Sequence, residues 1–93
     1  MLDITVTNNL VALCGRFDSS QADKARAEFA RLSGEITLDL SGMDYISSLG
    51  LGLIFALHSR LNQEGGGLRM IHCNPHVLHV FHLAGLKNAL NIE

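Results

Sequence analysis

Two adjacent serines, Ser47 and Ser48, are the residues whose type and place could carry chemistry in this chain. They follow a segment running from Asp39 through Ser41, Gly42 and Asp44 to Ile46. They open an apolar run that begins Leu49, Gly50, Leu51, Gly52, Leu53. The stretch reads as a strand, a polar turn and a helix start. A helix start leaves backbone N–H groups unpaired and carries partial positive charge. A serine there can cap the helix through its side-chain oxygen. A phosphate on that serine would sit where the dipole favours an anion. One local feature therefore supports two readings, a structural cap and a chemical switch.

Three carboxylates belong to the same discussion. Asp18 stands after the second expected strand and just before a helix, where the dipole favours an acid. Asp44 reads as a turn residue. Asp39 ends the third expected strand, at the carboxyl edge where open α/β sheets place their sites, and could position the serine loop. No histidine with a supporting acid lies near Ser47 or Ser48 in sequence, so no catalytic set is visible and no enzyme is expected.

Five histidines in 93 residues are many. His76, His79 and His82 would form a row on one helix, a spacing that a metal could use. The row faces away from the apolar Val77, Val80, Phe81 and Ala84, and no Cys or acid joins it at a suitable spacing. A solvated polar face is expected there, with no metal and no cofactor. Cys14 and Cys73 follow no CxxC or zinc pattern and read as reduced, buried thiols. Gly65, Gly66 and Gly67 precede a strand, whereas phosphate-cradling glycine loops precede a helix, so they read as a flexible turn. Gly50 and Gly52, inside a helix, cost roughly 1 kcal/mol each relative to Ala and suggest close packing.

The elements that must position these residues follow from periodicity. Leu2, Ile4 and Val6 alternate with Asp3, Thr5 and Thr7, as in a strand. Asn8 and Asn9 make a tight turn into a second strand over 10–14. Ser19 or Ser20 caps a helix over 21–32, with Ala22, Ala25, Phe29 and Leu32 on one face. A third strand spans 35–40. A helix over 48–63 carries the buried stripe Gly50, Leu53, Ile54, Leu57 and Leu61. A fourth strand spans 68–72, Pro75 opens a third helix at a permitted position, and 89–92 is a short last strand. The order β-β-α-β-α-β-α-β implies right-handed parallel crossovers. The expected fold is α/β: one domain over 1–93, with a mixed, mainly parallel sheet of 4–5 strands and about three helices mainly on one face.

Bulk properties exclude several classes. The chain is 47% hydrophobic, with a formal net charge of -2 and one proline. That suits a single domain with a modest core. The small acidic balance leaves no electrostatic footprint for nucleic acid. No apolar run approaches the roughly 20 residues that span a bilayer, and the start Met1, Leu2, Asp3 lacks the basic residues of a secretory signal. A cytoplasmic protein is expected.

Tyr45, Ile46, Ser47, Ser48, Leu49, Gly50 and Leu51 resemble the signature of the STAS domain of bacterial anti-sigma factor antagonists. Gly15, Arg16, Phe17 and Asp18 resemble the Gly-Glu-Leu-Asp that follows the family's second strand. Phe81, His82, Leu83, Ala84, Gly85 and Leu86 resemble its late Leu-Phe-x-x-x-Gly-Leu block. The three blocks come in the family's order and span nearly the whole chain. The resemblance implies a compact β-α superhelix and a phosphorylation site at Ser48, with Ser47 the less favoured position. Many relatives have Asp where Ser47 stands, which leaves one carboxylate fewer here. It also implies that Asp18, Ser47, Ser48, Leu49 and Gly50 meet a partner. That partner would be an anti-sigma factor that is also a serine kinase, opposed by a phosphatase. Some small STAS proteins instead serve as scaffold subunits of a lipid-transport ABC complex. An enzyme or small-ligand binder using the sheet's carboxyl edge is a third, different class.

Overall fold

The computed structural model describes residues 1–86 and 88–93. Period-two alternation in the apolar segments produces strands β1 (Leu2–Thr7), β2 (Leu10–Phe17), β3 (Glu35–Ile46), β4 (Gly67–Ile71) and β5 (Asn91–Ile92). Between them lie helices α1 (Ala22–Ala30), α2 (Ser48–Gln63) and α3 (Pro75–Leu83), with a single 3-10 turn at Ser19–Gln21 before α1. The strands make one sheet in the order β1-β2-β3-β4-β5. β1 and β2 are antiparallel, and every later pairing is parallel. Each parallel crossover steps in the same direction across the sheet. Right-handed crossovers of that kind gather the helices on one face.

Burial follows this arrangement. Val11, Leu13, Leu38, Leu40, Leu68 and Met70 are fully or nearly fully buried under Phe29, Ile54, Leu57, Leu61, Val77 and Phe81. On the other face of the sheet Thr5, Cys14 and Arg69 are exposed. Cys14 therefore departs from the buried thiol expected of it, because its strand position points it to the open face. Cys73 is half-buried, and both thiols are free.

β3 differs most from expectation. It continues to Ile46, so residues 41–44 are strand and not a polar turn, and Asp44 is a strand residue. The cause lies in the register with β2. Ala12 pairs with Asp39 but Cys14 with Gly42, and Gly15 pairs with Met43 but Arg16 with Tyr45. At each step β3 takes one residue more than β2, which is a β-bulge. The bulges turn Met43 and Ile46 into the core although they are spaced by three, not two. Asp39, accordingly, does not end the strand. Its carboxylate accepts the Ser41 N–H at 3.0 Å, beside the first bulge.

The other boundaries shift by a few residues. β2 runs on to Phe17, past the expected end at Cys14. Gly15 makes that possible: its φ is +98°, and a Cβ there would lie 2.2 Å from the Met1 carbonyl oxygen. Neither Ser19 nor Ser20 caps α1: Asp18 caps the 3-10 turn, and α1 follows from Gln21 with no side-chain cap. Arg60 of α2 donates to the Phe29 and Leu32 carbonyls at 2.8 and 2.9 Å, which ties α2 to the end of α1. α2 has the expected bounds, but Leu51 is buried where Leu53 was expected, and Leu53 is half-buried. β4 starts at Gly67 and ends before His72. Ala84 is exposed, because α3 ends at Leu83 and the chain turns at Gly85 with φ +74°.

The two helical glycines separate in this structure. A Cβ on Gly50 would lie 3.0 Å from Ile46 Cγ1 and 3.1 Å from the Phe17 ring, whereas one on Gly52 would meet nothing within 4 Å. Gly52→Ala should raise the unfolding free energy by about 0.5–1 kcal/mol, the usual gain of Ala over Gly in a helix. Gly50→Ala should lower it by roughly 1 kcal/mol, because Phe17 and Ile46 must give way. Urea unfolding of both variants checks this; a gain at Gly50 equal to that at Gly52 would contradict the close packing.

Candidate functional site

The ends of β2 and β3 build the site. The strands are parallel, so both leave the sheet at the same edge, and Phe17 pairs with Ile46. The Ser47 N–H donates to the Phe17 carbonyl at 2.9 Å. Each strand then turns directly into a helix start. Asp18, one residue past Phe17, is thereby brought beside Ser47 and Ser48, which sequence separation alone would not require.

The two serines are not equivalent. Ser47 has extended backbone angles, φ -85° and ψ 168°, and its Oγ accepts the Gly50 N–H at 3.1 Å. It is the N-cap of α2, and its carbonyl accepts the Leu51 N–H at 2.9 Å. Ser48 is the first helical residue and is exposed. Among the described residues no hydrogen bond engages its hydroxyl. Leu49, next along, is 39% exposed, while Gly50 turns inward against Phe17 and Ile46. The expected site residues are thus together, but their work is divided: Ser47 and Gly50 build the helix start, and Ser48 and Leu49 face outward.

Asp18 is itself a cap. Its Oδ1 accepts the Ser20 hydroxyl at 2.5 Å and the Ser20 N–H at 3.1 Å. The Ser20 hydroxyl, chiefly, holds this carboxyl below its ordinary range, so it is ionised at neutral pH. Arg16 stands beside it, with Nε 3.9 Å from Asp18 Oδ2 and the guanidinium 4.4 Å from the centre of the Tyr45 ring. The ion pair is exposed and weak, but the stacking on Tyr45 joins the ends of β2 and β3 on the open face. Sequence reading missed this pair; only the register of the two strands puts Arg16 opposite Tyr45.

Other candidates lie elsewhere. Asp39 sits in the part of β3 that leads to the serines. It accepts the Ser41 N–H and lies 3.2 Å from His72 Nδ1. Its carboxyl is held below its ordinary range, chiefly by the Ser41 amide. Asp44 is exposed on β3, and His76, His79 and His82 are exposed along α3. Burial pushes the Cys73 thiol up. A cavity of about 450 Å³ opens at the opposite edge, where β3 and β4 begin, lined by Glu35, His58, Asn62 and Asn91 among others. It is far from the serines along both strands. The serine edge therefore offers an exposed hydroxyl at a helix start on an outward-facing surface, suited to a macromolecule that can reach it.

Comparison with known proteins agrees with this fold. A family model described as "Mlab, STAS domain" matches residues 1–92. A Bordetella bronchiseptica protein, BtrV, named as a candidate anti-sigma factor antagonist, is 36% identical over 80 residues, which cover 82% of this chain and 69% of that protein. A Thermotoga maritima structure, TM1081, also named as a candidate anti-sigma factor antagonist, superimposes with a TM-score of 0.80 at 20% identity, covering 98% of this chain and 84% of that one. The Bacillus cell fate determinant SpoIIAA, solved in its phosphorylated form, gives a TM-score of 0.69 at 18% identity, with 100% and 91% covered. At those identities the two structures speak for the fold alone.

The division between the serines is measurable without any partner. Ser47→Ala removes a cap and should cost about 1 kcal/mol of unfolding free energy, within the usual range of roughly 0.5–2. Ser48→Ala should stay within about 0.5 kcal/mol of the parent, as exposed substitutions usually do. Denaturant unfolding with the reverse order would show that Ser48 holds the helix.

Proposed function

The chain belongs to the STAS domain family, and from that premise we propose that it is a cytoplasmic anti-sigma factor antagonist that works by partner switching. Unphosphorylated, it binds an anti-sigma factor through the edge formed by Asp18, Ser48 and Leu49. The same partner is a serine kinase, which uses its own ATP and Mg²⁺ to transfer a phosphoryl group to the Ser48 oxygen. The hydroxyl proton leaves and ADP is released. The phosphoprotein dissociates, and a phosphatase restores the hydroxyl.

The observation that carries this reading is the free, exposed hydroxyl of Ser48 beside a serine that already does the capping. Phosphate on Ser48 leaves the Ser47–Gly50 hydrogen bond in place. It lies near the N–H groups of the first turn, which favour an anion. It adds roughly -1.5 to -2 charges next to the ionised Asp18. The fold then survives while the contact surface gains negative charge and changes its hydration. The names of the curated relatives support the assignment and favour the switch over a scaffold subunit of a lipid-transport complex.

Incubated with its kinase partner and ATP, the protein should gain one phosphate, mapped by peptide mass spectrometry to Ser48. Ser48→Ala should bind the partner and refuse phosphate. Ser48→Asp should bind more weakly, though less weakly than the phosphoprotein, because Asp carries less charge. Phosphate on Ser47, or equal affinity for the parent, Ser48→Ala and Ser48→Asp, would end the proposal.

A further inference from the structure

β3 outruns its neighbour. Its pairing with β4 ends at Asp39 and Ile71, so residues 40–46 have a strand partner, β2, on one side only. β4 turns away at His72, whose φ of +57° is uncommon for a residue with a side chain, and the chain enters α3. The unpaired side of β3 is the stretch that delivers Ser47 and Ser48. Something must hold it there, because a buried main-chain carbonyl without a partner is costly.

Two side chains from the turn after β4 take the place of the missing strand. Asn74 Nδ2 donates to the carbonyl of Met43, a fully buried residue, at 2.7 Å. Asn74 Oδ1 accepts the Val77 N–H at 2.9 Å, as the N-cap of α3. Below it, His72 Nδ1 lies 3.2 Å from Asp39 Oδ1, the same oxygen that receives the Ser41 N–H. One amide therefore ties the start of α3 to the bulged segment of β3. From Met43 the path to the serines is short. Met43 pairs with Gly15 and Ile46 with Phe17, and the Ser47 N–H rests on the Phe17 carbonyl.

We infer that Asn74 is a positioning residue for the serine switch, coupling α3 to the placement of Ser48. The inference rests on the reading of Ser48 as the switch residue. Asparagine suits the place because the two ends of its amide do different work. The oxygen caps a helix, and the nitrogen supplies the donor that a neighbouring strand would have supplied. Serine keeps the cap but is too short to reach Met43. Aspartate keeps the cap but sets an acceptor against an acceptor. Beside the core packing of Val77 and Phe81, a displacement of α3 is felt at the serine edge through this side chain, with His72 and Asp39 fixing the base of the segment.

Amide hydrogen exchange on the full chain tests the coupling, using the parent, Asn74→Ser and Asn74→Ala. In Asn74→Ser the Val77 amide should keep its protection. The Ser47 and Gly50 amides should exchange about five- to tenfold faster, the effect expected from losing one hydrogen bond, and by more than the amides shared between β1 and β2. Asn74→Ala should lose protection at both Val77 and the serine edge. Unchanged exchange at Ser47 and Gly50 in Asn74→Ser would overturn the inference. So would acceleration by the same factor throughout the sheet, which marks a global loss of stability. The premise fails differently: a parent protein that takes no phosphate at Ser48 would remove the switch while leaving the exchange pattern intact.

Discussion

The hydrogen bond from the Gly50 N–H to the Ser47 hydroxyl decides which of two adjacent serines caps α2. A helix start needs a side-chain acceptor, and once Ser47 supplies it, Ser48 has no structural duty. The bond depends on geometry laid down well before the serines. Ser47 must leave β3 in an extended conformation, which requires Ile46 to point into the core and the Ser47 N–H to meet the Phe17 carbonyl. Both follow from the bulges in β3. Without the extra residues, period-two alternation would send Met43 and Ile46 to different faces, and the serines would start α2 from the wrong side of the sheet.

In the proposed switch, the same edge makes charge a workable signal. Ser48 lies outside the core, so a phosphate there displaces no packing and meets favourable N–H groups. Asp18 lies alongside because β2 and β3 are parallel and end together. Its carboxylate is held ionised by Ser20, and its near cation, Arg16, also stacks on Tyr45. Added negative charge at Ser48 therefore falls on an exposed edge that already carries an ionised carboxylate. Gly50 allows α2 to approach Phe17 and Ile46 closely, which keeps the edge rigid under this change.

Much of this was legible in the residues. The helix bounds of α2, the core faces of α1 and most of α3, the one-sided sheet and the exposed histidine row all follow from periodicity. The serine pair stood out because Ser and Gly cluster before an apolar run. The course of β3 was hidden, because Ser41, Gly42 and Asp44 have the composition of a turn. Here Gly42 answers instead to a neighbour, since a Cβ on it would lie 2.6 Å from Cys14 Sγ. A bulge depends on the partner strand, and no local pattern in β3 records it. The choice between Ser47 and Ser48 as cap was hidden for a similar reason, being set by one residue of strand length. No local pattern marks Asn74, whose second hydrogen bond runs to a strand thirty-one positions away. Cys14 was misjudged because burial of cysteine is a general tendency, whereas its face is set by its position in the strand.

The central claim is that phosphate at position 48 alters binding and leaves the fold intact. The direct measurement is calorimetric titration of the anti-sigma partner against two homogeneous forms of the protein, one with serine and one with phosphoserine at 48, each also melted alone. The account predicts closely similar melting temperatures and an affinity for the phosphoserine form weaker by about tenfold or more, the scale of roughly 1.4 kcal/mol of lost contact energy. Equal affinities, or a phosphoserine form that melts many degrees lower, would contradict it.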